Sequence, residues 1–330
     1  MRLSYETIHT ELVRVLRKTG FAEDRAYNCA TLFTETQQDG VYSHGLNRFG
    51  RFMKMIELGC IDIEAEPENI FGFGAVEQWD GRLGPGNLNA YAMMDRATEL
   101  ASQHGLGMVG LRNTNHWMRG GTYGWQAADK GYIGICWTNT NQNLPPWGAT
   151  EARIGNNPLI ISIPRKEGHV VLDMAMSQFS YGALASYRKK GVSLPVPGGY
   201  TNDGELTSDP AAIEASYRPL PIGFWKGSAL SIVLDMAASV MSAGTATHRI
   251  SSDPLKETEL SQCFIAISVL TDFADANTLL DEIVAHLHAS PSNEGEQVYY
   301  PGQRTLAKRK ENIAQGIPVD EDVWIAIKGM

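Results

Sequence analysis

The sequence predicts an α/β protein in which a mixed sheet is flanked by helices. Two observations predict it: amphipathic helical stripes alternate with short apolar runs of strand length, and no repeat or low-complexity tract interrupts the alternation. Length adds a third, since a chain of 330 residues buries about 75% of its unfolded surface and has room for about two domains.

Ser4 suits the cap of a first helix whose Ile8, Leu12, Val15 and Leu16 share a face, with Gly20 as its stop. Ala26, Cys29, Ala30 and Phe33 mark a second, closed by Gly40. In the stretch GVYSHGLNRF, residues 40–49, Ser43 suits the cap of a third, with Phe49, Met53 and Ile56 buried and Gly59 as the stop. On that reading His44 and Arg48 stand four apart on one helical face, and both reach one small ligand. An acidic connector, IDIEAEPENI, follows; Asn87 opens a helix running through Leu100, and Gly105 ends it before a strand, GMVGLRN. Further strands are expected at YIGICWT, PLIISI, VVLDMAM and CFIAISV, with helices at TYGWQAADK, around 228–242 and around 275–289. The segment KKGVSLPVPGGYTNDGELTSDP is rich in Gly, Pro and Asp and reads as a long ordered excursion or lid near 190–220.

Composition excludes several function classes. The formal charge is −9, from 28 basic against 37 acidic residues, with no basic block, so nucleic acid is not an expected partner. Cys29, Cys60, Cys136 and Cys263 lie far apart without a C-x-x-C pair, and the opening MRLSYETIHTELV reads as an amphipathic helix rather than a signal peptide. These features predict a cytoplasmic protein with reduced thiols. No apolar run approaches the ~18 residues of a membrane span.

Residues 105–110, GLGMVG, satisfy G-x-G-x-x-G formally, but a helix precedes them and a strand follows, the reverse of a dinucleotide fingerprint. The run GRLGPGNLN (81–89) is a turn leading into a helix and lacks the third glycine. Hydrolase, kinase and zinc-protease motifs are absent, His286 and His288 point to different helical faces, and no metal site is expected. Chemistry is expected instead where polar groups crowd irregular backbone: Asn113, Asn115, His116 and Arg119 in NTNHWMRGG, the loop TNTNQNLPPWG at a strand end, and GFWKGSALS. In the last, Lys226 precedes a helix that Ser228 would cap, an expected anion site. The residues alone support an α/β enzyme acting on a small anionic substrate.

GVYSHGLNRF, LRNTNHWMRGGTYGWQAADKGYIGICWTN, PPWGA, RIGNNPL, LDMAMSQFSYG and GFWKGSALSIVLDM together resemble the type 2 malate/lactate dehydrogenase family, whose nicotinamide-binding fold is not Rossmann. The resemblance extends over nearly the whole chain, and WMRGGTYGWQ is similar to the branch that reduces a keto sugar acid rather than to the commoner HFG-type loop. It implies His44 as proton donor, with His116 as the acid–base group in some members, and Arg48 as the anchor of the substrate carboxylate. It places cofactor contacts on His169, Val170, Val171, Leu172, Asp173, Met174 and Ala175, on Trp225 and Lys226, and on the turn Gly302, Gln303 and Arg304. The cofactor implied is NADH, with NADPH as the alternative; PGQR departs from the P-G-H-E sequence of that branch, which bears on this preference. A homodimer with the site near the subunit contact is implied too. The organisation expected is a helical, substrate-side domain of residues 1–75 plus about 300–330, and a cofactor-binding sheet region of 76–299. Malate, lactate or ureidoglycolate oxidation remains open within the family, and a sugar-acid binding protein without catalysis remains open outside it.

Overall fold

A computed structural model describes residues 1–291 and 297–330. The elements run β1 (Arg2–Leu3), α1 (Tyr5–Lys18), α2 (Glu23–Gln38), α3 (Leu46–Glu57), β2 (Glu68–Phe73), β3 (Val76–Asp80), α4 (Gly86–His104), β4 (Leu106–Thr114), α5 (Gly121–Asp129) and β5 (Tyr132–Thr138). There follow β6 (Leu159–Ile163), β7 (Val170–Met174), α6 (Tyr181–Lys190), β8 (Gly199–Tyr200), β9 (Leu206–Thr207), α7 (Pro210–Ser216), α8 (Trp225–Ser242), β10 (Leu260–Ser268), α9 (Phe273–His288), α10 (Gln303–Gln315), β11 (Ile317–Pro318) and α11 (Glu321–Lys328).

Seven strands form the central sheet in the order β2-β3-β4-β10-β5-β6-β7. The sheet is mixed because β3 and β4 run parallel while the other pairings are antiparallel. Period-2 alternation gives it two apolar faces. Phe264 and Ala266 of β10 pack with Val109, Cys136, Ile160 and the inner faces of α4 and α5. Cys263 and Ile265 point the other way, toward Leu234 and Ala238 of α8. A separate core joins α1, α2 and α3 to the C-terminal end: Ile8, Leu12, Leu16, Phe33, Phe49 and Phe52 meet Ile317, Trp324 and Ile327. The short ladder β1–β11 fastens the two ends of the chain together.

Several expectations need correction. The third helix begins at Leu46 rather than at a Ser43 cap; Gln37 of α2 caps it instead, accepting the Leu46 N–H at 3.0 Å. A Cβ at Gly45 would lie 2.4 Å from that Gln37 oxygen, so only glycine admits the cap. His44 therefore sits in the turn before α3, and its i, i+4 relation to Arg48 is not a helical one. The acidic connector runs into a strand, β2, and β3 follows it, neither of them expected; every β2 residue is exposed. Residues 190–220 form the ordered excursion expected of them, with α7 and the β8–β9 ladder folded around Leu184, Leu194 and Ile213. Helix α8 starts at Trp225, so Ser228 lies inside it, where its hydroxyl accepts the Trp147 N–H at 3.0 Å. The first N–H groups there already bond to Gly223, Ile222 and Phe224 carbonyls, which removes the expected anion site.

Candidate active site

The loop after β4 is pinned from both sides. Trp117 is buried in the sheet core and Met118 in the helical core, so the chain between them is held where the two meet. Gly86, at the start of α4, packs so closely on this loop that a Cβ would lie 2.2 Å from the Asn115 carbonyl, which assigns GRLGPGNLN a structural role. His116 and Arg119 flank the pinned pair and line a cleft of about 340 Å³ together with Val41, Ser43 and His44. Thr140, Asn156, Val171, Asp173 and Thr305 complete its polar and sheet-side wall.

The two imidazoles stack, with centroids 5.9 Å apart and planes 14° from parallel. His116 Nδ1 accepts the Met118 N–H at 3.0 Å, so the neutral ring carries its proton on Nε2. Ser43 Oγ lies 2.9 Å from His44 Nδ1 and orients that ring. Burial, then the charges of Arg48 and Arg119, push His44 down to about 4. Burial, Arg48 and the neighbouring His44 drive His116 well below its ordinary value. Both rings are therefore neutral near pH 7 in the free protein.

Arg48 does not line the cleft in this structure. Its guanidinium pairs with buried Glu257 at 3.4 Å, and Arg51 shares the same carboxylate at 3.2 Å. Burial lowers Arg48 to about 10, which leaves it cationic at neutral pH. Two positive charges sharing one negative leave the group able to receive a second carboxylate. Sequence reading missed Glu257, because nothing local marks a residue that pairs 209 positions away.

The strand and turn expected to meet a cofactor come together. Pro301 C=O accepts the Val171 N–H at 2.9 Å, and a Cβ on Gly302 would stand 3.1 Å from that nitrogen, so residues 301 and 302 lie against β7. Gln303 is fixed by the Tyr300 N–H at 3.1 Å, and Arg304 stacks 4.5 Å from the Tyr299 ring. His169 turns away from the cleft lining: Nδ1 accepts the Arg165 N–H at 3.0 Å and Nε2 faces Asp129 at 2.9 Å. Val171, Asp173 and Ala175 face the cleft, whereas Val170, Leu172 and Met174 are not part of its lining. Asp173 is exposed toward the cleft, and desolvation by the protein around it raises its carboxyl; one oxygen accepts the Gly121 N–H at 2.8 Å at the start of α5. Trp225 and Lys226 stand exposed outside the cleft lining, on the segment that continues from the Ser177–Pro221 bridge. Asp39 pairs with Arg119 and with Arg309 of α10; Asp39 and Arg309 are partners that the sequence did not single out. Among the described residues no cluster of His, Cys, Asp or Glu could hold a metal ion.

A mixed sheet without a glycine fingerprint, carrying neutral imidazoles and a buried cation beside a cleft, is the setting of a hydride-transfer enzyme that polarises a carbonyl. The profile of the malate/L-lactate dehydrogenase family matches residues 3–328, and the chain belongs to that family of oxidoreductases. It is 47% identical over 333 residues, covering 100% of both chains, to the 2,3-diketo-L-gulonate reductase of Salmonella typhimurium. Its structure is similar to malate dehydrogenase from Entamoeba histolytica (TM-score 0.94, 26% identity, 100% of this chain and 96% of that one). It is also similar to sulfolactate dehydrogenase from Methanocaldococcus jannaschii (TM-score 0.91, 26% identity, again 100% and 96%). Membership of a dehydrogenase family implies a nicotinamide cofactor. Among the described residues no helix is long and apolar enough to cross a membrane.

Proposed function

We propose that the protein reduces 2,3-diketo-L-gulonate to 3-dehydro-L-gulonate with NADH, NADPH being the alternative reductant, as a step in carbohydrate catabolism. The observation that carries this is the pair of stacked neutral imidazoles lining a cleft beside the Arg48–Glu257–Arg51 group. The full-length likeness to 2,3-diketo-L-gulonate reductases supplies the substrate. The nicotinamide, when bound, supplies a hydride to the 2-keto carbon.

His44 gives the proton to the alkoxide that forms, a contribution of about 10² to 10⁴-fold. Arg48 holds the substrate carboxylate by a two-pronged hydrogen-bonded pair. That anion offsets the field that disfavours protonation of His44, so substrate binding raises the His44 pKa as the proton is required. His116, with its Nε2 proton, is the second candidate donor. The cofactor site draws on His169 to Ala175, Gly302, Gln303, Arg304, Trp225 and Lys226. Its fit rests on Val171, Asp173 and Ala175 of the β7 segment lining the cleft, with the turn at Gly302 packed against that strand.

A homodimer and a cytoplasmic location belong to the same reading. Helix α8 presents Trp225, Val233, Met236 and Val240 to solvent at 61%, 57%, 63% and 74% exposure, a stripe suited to a second copy. Four free cysteines, three of them buried, fit a reducing compartment.

The test is a panel of 2,3-diketo-L-gulonate, oxaloacetate, pyruvate and a ureido acid, each followed by NADH and NADPH absorbance. The highest kcat/KM is expected with the diketo sugar acid. Preference for oxaloacetate or pyruvate would move the protein to another branch of its family. Absence of any NADH binding by fluorescence would favour a binding protein instead.

A further inference from the structure

Arg119 is buried, with 6% of its surface exposed, and its guanidinium is only partly used. One nitrogen pairs with Asp39, which Arg309 holds at 2.5 and 2.7 Å, while Nε bonds to no atom among the described residues. Asp173 accepts the Gly121 N–H through Oδ2 and forms no ion pair among the described residues. A methyl group on Gly121 would lie 2.6 Å from Asp173 Oδ2 and 3.3 Å from Arg119 Nε, so the two side chains converge over the first residue of α5. Both line the cleft.

An idle buried donor beside a half-used carboxylate selects its ligand by charge. A carboxylate or phosphate meets repulsion from Asp173, and an ammonium meets repulsion from Arg119. A neutral group with an acceptor and an N–H donor on one carbon satisfies both, and a primary carboxamide has that form. We propose that Arg119 and Asp173 form a clamp for the carboxamide of the nicotinamide ring, the amide oxygen accepting from Arg119 and the amide N–H donating to Asp173. Asp39 and Arg309 are positioning residues for Arg119. This inference rests on the nicotinamide cofactor of the proposed function.

The experiment compares NADH with its reduced 3-acetylpyridine analogue, which keeps the carbonyl and lacks the amide N–H, by fluorescence-titrated Kd on the full chain. The wild type binds NADH about tenfold or more tightly than the analogue, as expected for a hydrogen bond to a charged group. In Asp173→Asn the Gly121 N–H claims the carboxamide oxygen, which turns an NH₂ toward the ligand, so the preference falls to about threefold or less. Arg119→Lys weakens NADH and the analogue alike and preserves their ratio. The ratio is read within each variant, so partial loss of folded protein does not alter it. NADH binding with an unchanged ratio in Asp173→Asn overturns the clamp and leaves the cofactor reading standing. No dinucleotide binding by the wild type overturns both.

Discussion

His44 and His116 stack with centroids 5.9 Å apart, and Arg48 acts as a third like charge whenever either ring is protonated. At an effective dielectric of about 20, two unit charges about 6 Å apart repel by roughly 3 kcal/mol, or about 2 pKa units, so both rings are not protonated together. Burial is the larger cause of the His44 shift, and Arg48 is the part that a mutation can remove. In Arg48→Gln, with Glu257 still paired to Arg51, the His44 pKa measured by NMR titration is expected to rise from about 4 toward 6.5. No rise would show that Arg48 does not contribute and that burial and Arg119 set it. The folded pKa lies below the unfolded value of about 6.5. His44 therefore contributes stability that is present above pH 6.5 and lost as pH falls through about 4. Removing Arg48 is expected to shrink that acid-sensitive window.

Helix α3 carries Arg48, and its start depends on another helix. Gln37 accepts the Leu46 N–H and donates to the Pro318 carbonyl at 2.8 Å, joining α2, α3 and β11 with one carboxamide. Gln37→Ala leaves two polar groups at a largely buried site without partners, an expected loss of about 2–4 kcal/mol in denaturant unfolding. A loss within the scatter of surface mutations, about 0.5 kcal/mol, would contradict the cap. Elements whose stability comes from their own stripe were legible in the sequence: Ile8, Leu12, Val15 and Leu16 of α1, or the alternating apolar run of β10. Elements stabilised by remote partners were not. Strand β2 is exposed on both faces and carries no apolar alternation to read, and the Ser43 cap was displaced by a side chain six residues earlier on a different helix. The candidate site divides the same way. His44, Arg48 and His116 stand in short polar motifs, whereas Glu257, Asp39 and Arg309 enter only through contacts spanning 80 to 270 positions.

At the scale of the whole molecule, the cleft lies where two cores meet: the helical core built from both chain ends holds Met118, the sheet core holds Trp117, and His116 precedes them. The α8 stripe of Val233, Met236 and Val240 lies on the far side of the sheet from α4 and α5. Val240→Glu should place a charge in the proposed subunit contact and shift light scattering from dimer toward monomer. An unchanged dimer would move the contact elsewhere. The central claim is that the protein reduces an α-keto acid with a proton from His44, and it is tested most directly by turnover of 2,3-diketo-L-gulonate under saturating NADH in the wild type and His44→Asn. The account predicts a fall in kcat of about 10² to 10⁴-fold with NADH affinity retained. Turnover near that of the wild type would contradict it.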